Sequence, residues 1–99
     1  MLPEAAQRHV SAEAALKRFR HAVAEASVSI GEVLPFSVRA EVQGELAWWG
    51  LRSENDWRQA LLNPNVDPSA AVDALLVDMG RFLEARLEAL LARGPETAG

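Results

Sequence analysis

Leu16, Phe19, Val23, Ala26 and Ile30 recur at spacings of three and four, which lays one apolar stripe along a helix. Pro3 suits a first helical position, and the alanines that follow are the best helix formers. Glu13 and Lys17 stand four apart in the favourable order. The pattern predicts a helix over residues 3–27. Ser27-Val28-Ser29-Ile30-Gly31 then weakens it with serines, β-branched residues and a glycine.

A second rhythm begins at Phe36. Phe36, Val38, Ala40, Val42, Gly44, Leu46 and Trp48 take alternate positions, and Ser37, Arg39, Glu41, Gln43 and Glu45 fill the gaps. Period two is the signature of a half-buried strand. Gln43-Gly44 then makes the turn of a hairpin in which Val38 faces Trp49 and Phe36 faces Leu51. The competing reading is a helix opened by Pro35, with Val38, Val42, Leu46 and Trp49 at helical spacing. Against it, Gly44 and Gly50 would each cost about 1 kcal/mol relative to alanine. The hairpin is the preferred reading of residues 36–51.

The segment SENDWRQALLNP reads as a short helix, capped by Ser53, acidic in its first turn and stopped by Asn63-Pro64. Asp67 caps the last helix and Pro68 opens it. That helix runs to about residue 93, and its stripe of Val72, Leu75, Leu76, Met79, Phe82, Leu83, Leu87, Leu90 and Leu91 is wide enough for two neighbours. The expected fold is a helix-rich α+β domain over residues 1–94, with a flexible tail over 95–99. A long N-terminal helix leads into a small central β-hairpin, then a short helix and a long C-terminal helix. An all-α helical bundle with the same end helices is the alternative.

Composition narrows the function. A chain of 99 residues is one domain with a modest core. A hydrophobic content of 49% excludes a disordered chain. Fourteen acids against ten bases argue against nucleic acid as the main ligand. The absence of cysteine excludes disulfides, thiolate chemistry and cysteine-based zinc sites, and fits the cytoplasm. The N-terminal stretch does not read as a signal peptide, and no apolar run approaches the roughly 18 residues of a membrane span. Neither a membrane nor a cofactor is therefore expected.

No catalytic or metal site is expected either. His9 and His21 are twelve apart on one helix, about 18 Å along its axis, too far to share a metal. Glu-x-x-His pairs, Gly-x-Ser-x-Gly and Gly-rich phosphate loops do not occur. The basic run Lys17–His21 holds Phe19 of the apolar stripe, so it reads as core with a solvated basic edge.

The tryptophans carry the functional expectation. Trp48, Trp49 and Trp57 fall within ten residues. Each ring covers about 200 Å² and carries an N–H that needs a partner, which a small core struggles to supply three times. In a hairpin Trp48 and Trp49 point to opposite faces, so one meets solvent or another chain. Tryptophan is enriched at binding hot spots. The expected partner-binding set is Trp48, Trp49, Trp57, Arg39 and Arg52, with Glu45 in the polar rim. The expected function is a non-catalytic interaction or assembly module: a homodimer, or an accessory subunit docking through a Trp-rich apolar surface. A ligand-binding or enzymatic domain is the alternative, with a Trp-walled pocket and polar groups from Arg39, Arg52 or Asp56.

Trp48-Trp49-Gly50 also spells Trp-x-Gly near the middle of a small, acidic, cysteine-free chain. In these respects the chain resembles the small helical-hairpin proteins exported by type VII secretion systems. The resemblance implies two long helices with the motif at the bend, a dimer and export. The chain departs from it at Asn63–Pro68, which interrupts the second helix, and in lacking tyrosine and hence the Tyr-x-x-x-Asp/Glu signal.

Overall fold

The computed structural model describes residues 3–93. They form three helices: α1 over Glu4–Val33, α2 over Phe36–Ala60 and α3 over Pro68–Ala92. Helix α1 continues six residues past its predicted end. Ile30 explains this, since it is buried against Val42 and Leu46 of α2, and packing overrides the weak local propensity. Gly31 leaves room for a neighbour: a Cβ there would lie 3.1 Å from Nε2 of Gln43. That amide donates to the carbonyl of Ser27 at 2.9 Å.

Pro35 ends α1, because proline pushes the residue before it out of the helical region. Leu34 is extended (φ −92°, ψ 148°), and its N–H closes the last turn on Ile30 at 3.0 Å. The carbonyl of Pro35 then accepts from Val38 and Arg39, which starts α2 at once in the reverse direction.

The expected hairpin does not exist. Residues 36–60 are one continuous helix, no strand occurs among the described residues, and the α+β expectation gives way to an all-α bundle. Val42, Leu46, Gly50, Ser53 and Trp57 are the buried positions of α2, spaced four, four, three and four. The alternation at 36–48 overlaps this set at Val42 and Leu46, and so mimics a strand. Gly50 is no breaker but a contact point, since a Cβ there would reach 3.5 Å from Val23 of α1. The separate short helix is the end of α2, and Ser53 is a buried mid-helix residue rather than a cap.

The turn after α2 is held by Arg8 of α1. Its guanidinium donates to the carbonyls of Leu61, Asn63 and Val66 at 3.0, 3.0 and 2.7 Å. Helix α3 begins as expected: the Asp67 side chain accepts from the Ala70 N–H at 2.9 Å, and Pro68 opens the helix. The expected tail over 95–99 lies outside the described residues.

The helices run up, down and up in a slender bundle of 62 × 20 × 16 Å. One core cluster comprises Ala15, Leu16, Phe19, Trp57 and Val72, and the other Ile30, Val42 and Leu46. Trp49 joins them. Its ring lies 5.8 Å from Phe19 of α1 and 5.8 Å from Phe82 of α3, so each helix contributes one aromatic. Trp57 is 4% exposed and donates its indole N–H to the carbonyl of Pro68 at 3.2 Å. Arginines bridge the helix pairs: Arg18 to Asp73, Arg20 to Glu54, and Arg86 to Glu41 and Glu45. No helix among the described residues is long and apolar enough to cross a membrane.

Two outcomes follow for urea unfolding. Trp57→Ala should cost about 3–5 kcal/mol and Trp48→Ala less than about 0.5 kcal/mol. Gly44 is mid-helix, and a methyl added there would meet nothing within 4 Å, so Gly44→Ala should gain about 1 kcal/mol.

Candidate docking surface

A helix separates adjacent side chains by about 100°, and this distributes the tryptophans. Trp49 faces the core. Trp48 lies on the outer side of α2, 61% exposed, with Leu51 one turn further on and 64% exposed. Trp57 is inside. Arg39 is half-buried, donates to the carbonyl of Leu34 at 3.3 Å, and holds its guanidinium 5.8 Å from the Phe36 ring centroid. Its Nε is buried without a partner among the described residues. Arg52 is exposed and makes no hydrogen bond or ion pair among the described residues. Glu45, expected in the rim, is turned to Arg86. The expected residues therefore do not converge on one surface. Trp49 and Trp57 are turned into the core, Arg39 lies near the α1–α2 turn, and of the five only Trp48 and Arg52 share the outer side of α2.

Trp49 is committed to Phe19 and Phe82, while an edge of Trp57 lines a hollow of about 220 Å³ with His9, Glu13, Leu16 and Arg58; Arg39, Arg52 and Asp56 do not line it. Trp48-Trp49-Gly50 sits within unbroken α2 rather than at a bend. The bend is at Leu34-Pro35, and Gly50 faces α1.

A different surface is open. It lies at the end of the bundle where α1 stops, α2 starts and α3 finishes. Ala26, Ser29, Ile30, Val33, Leu83 and Leu87 line a groove of about 340 Å³ between α1 and α3, closed at its foot by Leu34 and Val42. A second hollow of about 420 Å³ shares Leu34 and continues over Pro35, Val38, Leu90 and Leu91. Val33 is 76% exposed, Phe36 82% and Leu91 80%, with Leu87 at 42%. Two signals for it stand in the sequence: Val33-Leu34-Pro35-Phe36, four apolar residues in a row, and an α3 stripe that continues through Leu91. Neither is specific, since the first also suits a connection into a strand and the second also suits contact with two neighbours.

On the α1–α2 side Glu54 is a carboxyl with altered acidity. Hydrogen bonds from Arg20, at 3.0 and 2.7 Å, hold its carboxyl below the ordinary 4.5 against the opposing effect of burial, with a lesser contribution from Arg58. Among the described residues no group of three or more His, Asp or Glu side chains could hold a metal ion. Each histidine faces a glutamate one turn on, His9 with Glu13 and His21 with Glu25. Compared with protein-family models, curated proteins and solved structures, the chain matches none.

The Glu54 carboxylate gives a signed pH dependence. A lowered folded-state pKa stabilises the fold above the unfolded value and loses that contribution as pH falls through the folded one. Stability of the parent should thus decline as pH drops below about 4.5, and Glu54→Gln should flatten this part of the decline. Thermal melts of both proteins across the acid range measure it.

Proposed function

We propose that this chain is a non-catalytic docking module, which works by burying the apolar end of its bundle against another protein chain. The observation that carries the reading is the set Val33, Leu87 and Leu91, apolar side chains open to water around two adjoining hollows, with Phe36 exposed at the start of α2. Contiguous exposed apolar surface of this kind marks interaction sites. Burial of these three would release at most about 4.5–9 kcal/mol, at about 1.5–3 kcal/mol each, and less for Leu87, which is only 42% exposed. Association itself costs about 4–15 kcal/mol, so these three alone make a weak complex. A stable one also has to fill the groove between α1 and α3.

The reading as a small-ligand site is less well supported. Ligand pockets pair an apolar wall with a few converging polar groups. The groove between α1 and α3 offers Ser29 as its one polar side chain. Trp48 and Leu51 form a second, smaller exposed pair, which extends the module's surface along α2. A cytoplasmic setting is part of the proposal, in keeping with a chain that contains no cysteine.

A photo-crosslinking amino acid placed at Val33 or at Leu91, in the producing cells, should capture discrete protein adducts. The same group at Ala74, on the outer side of α3, should capture none. Adduct-free Val33 and Leu91, or an equal yield from Ala74, would remove the basis of this function.

A further inference from the structure

We propose that the groove between α1 and α3 receives an amphipathic helix with basic flanks, supplied by a different protein. This rests on the docking reading above and adds the nature of the occupant. The first argument is backbone satisfaction. The walls of the groove are helices whose own N–H and C=O groups are bonded internally, and its lining is apolar apart from Ser29. An extended peptide laid there would bury unpaired backbone groups, which proteins avoid. A helix brings its backbone already paired and needs only an apolar stripe. From Ala26 to Val33 the groove spans seven helical steps of α1, about 10.5 Å, which matches apolar positions i, i+3 or i+4, and i+7.

The second argument is charge. Outward of Ala26, Ser29 and Val33 on α1 stand Glu25 and Glu32, and outward of Leu83 and Leu87 on α3 stand Glu84 and Glu88. All four are exposed. Glu32, Glu84 and Glu88 have no ion pair among the described residues, and Glu25 faces only His21 at 3.3 Å. The nearest cations are otherwise placed. Arg81 faces Asp78 at 3.9 Å, Arg86 is on the α2 side with Glu41 and Glu45, and Arg93 lines the adjoining hollow beside Leu90 and Leu91 rather than the groove itself. An apolar floor between two acidic banks is the complement of a helix with an apolar stripe between lysines and arginines.

The same charges disfavour a second copy of this chain. Groove-to-groove pairing would set Glu32, Glu84 and Glu88 of one protomer near those of the other. The chain's own basic run cannot fill the groove of a neighbour either. Its Phe19 is 2% exposed in the core, Arg18 is held by Asp73, and Arg20 by Glu54.

The test uses the full chain and two labelled helical peptides with one shared Leu/Ile stripe, flanked by Lys and Arg in one and by Glu in the other. Fluorescence anisotropy should show the basic peptide binding about ten-fold or more tighter, with the gap closing as salt is added. Val33→Asp combined with Leu87→Asp should abolish binding while far-UV circular dichroism stays unchanged. Glu84→Lys with Glu88→Lys should remove most of the preference, since Glu25 and Glu32 still line the other bank. Equal binding of both peptides would overturn the basic occupant and leave the docking surface standing. Binding of neither, with crosslinks still formed at Val33, would overturn the helix and keep the docking reading. A dimer abolished by Val33→Asp would place a second copy there and also overturn the proposal.

Discussion

Phe19, Trp49 and Phe82 meet at the centre of the bundle, one from each helix, and the remaining packing is arranged around that contact. A bundle about 20 by 16 Å in section has room for a single line of core side chains. Such a line is broken easily, and here Trp49 spans the gap between the cluster around Phe19 and Trp57 and the cluster around Val42 and Leu46. Aromatic pairs of this kind add about 0.5–1.5 kcal/mol each beyond the area they bury. The arginine bridges on the flanks are exposed for the most part, and such pairs are worth about 0–1 kcal/mol. They align helices that the central line holds.

The open end follows from the same thin section. Helix α1 ends at Val33 and α2 begins at Phe36, while the apolar positions of α3 run on through Leu87, Leu90 and Leu91. With no fourth helix beside them among the described residues, the last turns of α1 and α3 leave a trough rather than a closed core. The same turns carry Glu32, Glu84 and Glu88 on the outside. Apolar floor and acidic banks are thus consequences of one geometric fact, that the stripe of α3 outlasts the neighbours able to cover it.

Both end helices were legible in the sequence, because a 3.6-residue period and the Asp67-Pro68 start describe local chemistry. The middle was not. Val42 and Leu46 fit both a strand and a helix, and the choice is made by contacts with Ile30, Val23 and Phe82, which are distant in sequence. Ser53-Glu54-Asn55-Asp56 imitates a helix start, yet Ser53 is buried and Glu54 is there to meet Arg20. The crowding of tryptophans also has its answer. Trp49 and Trp57 face inward because the central line needs bulk in two places, and Trp48 is the neighbour that helical geometry turns outward. Large aromatics draw attention to α2, while the more exposed apolar surface is spelled in valines, leucines and one phenylalanine.

Fluorine NMR of the protein carrying 5-fluorotryptophan tests the central contact most directly. Three resonances are expected, and a soluble paramagnet should broaden that of Trp48 while sparing those of Trp49 and Trp57. Phe82→Leu should move the Trp49 resonance and leave the Trp48 resonance in place. A Trp49 signal as wet as that of Trp48, or indifferent to Phe82, would contradict a bundle built on one aromatic from each helix.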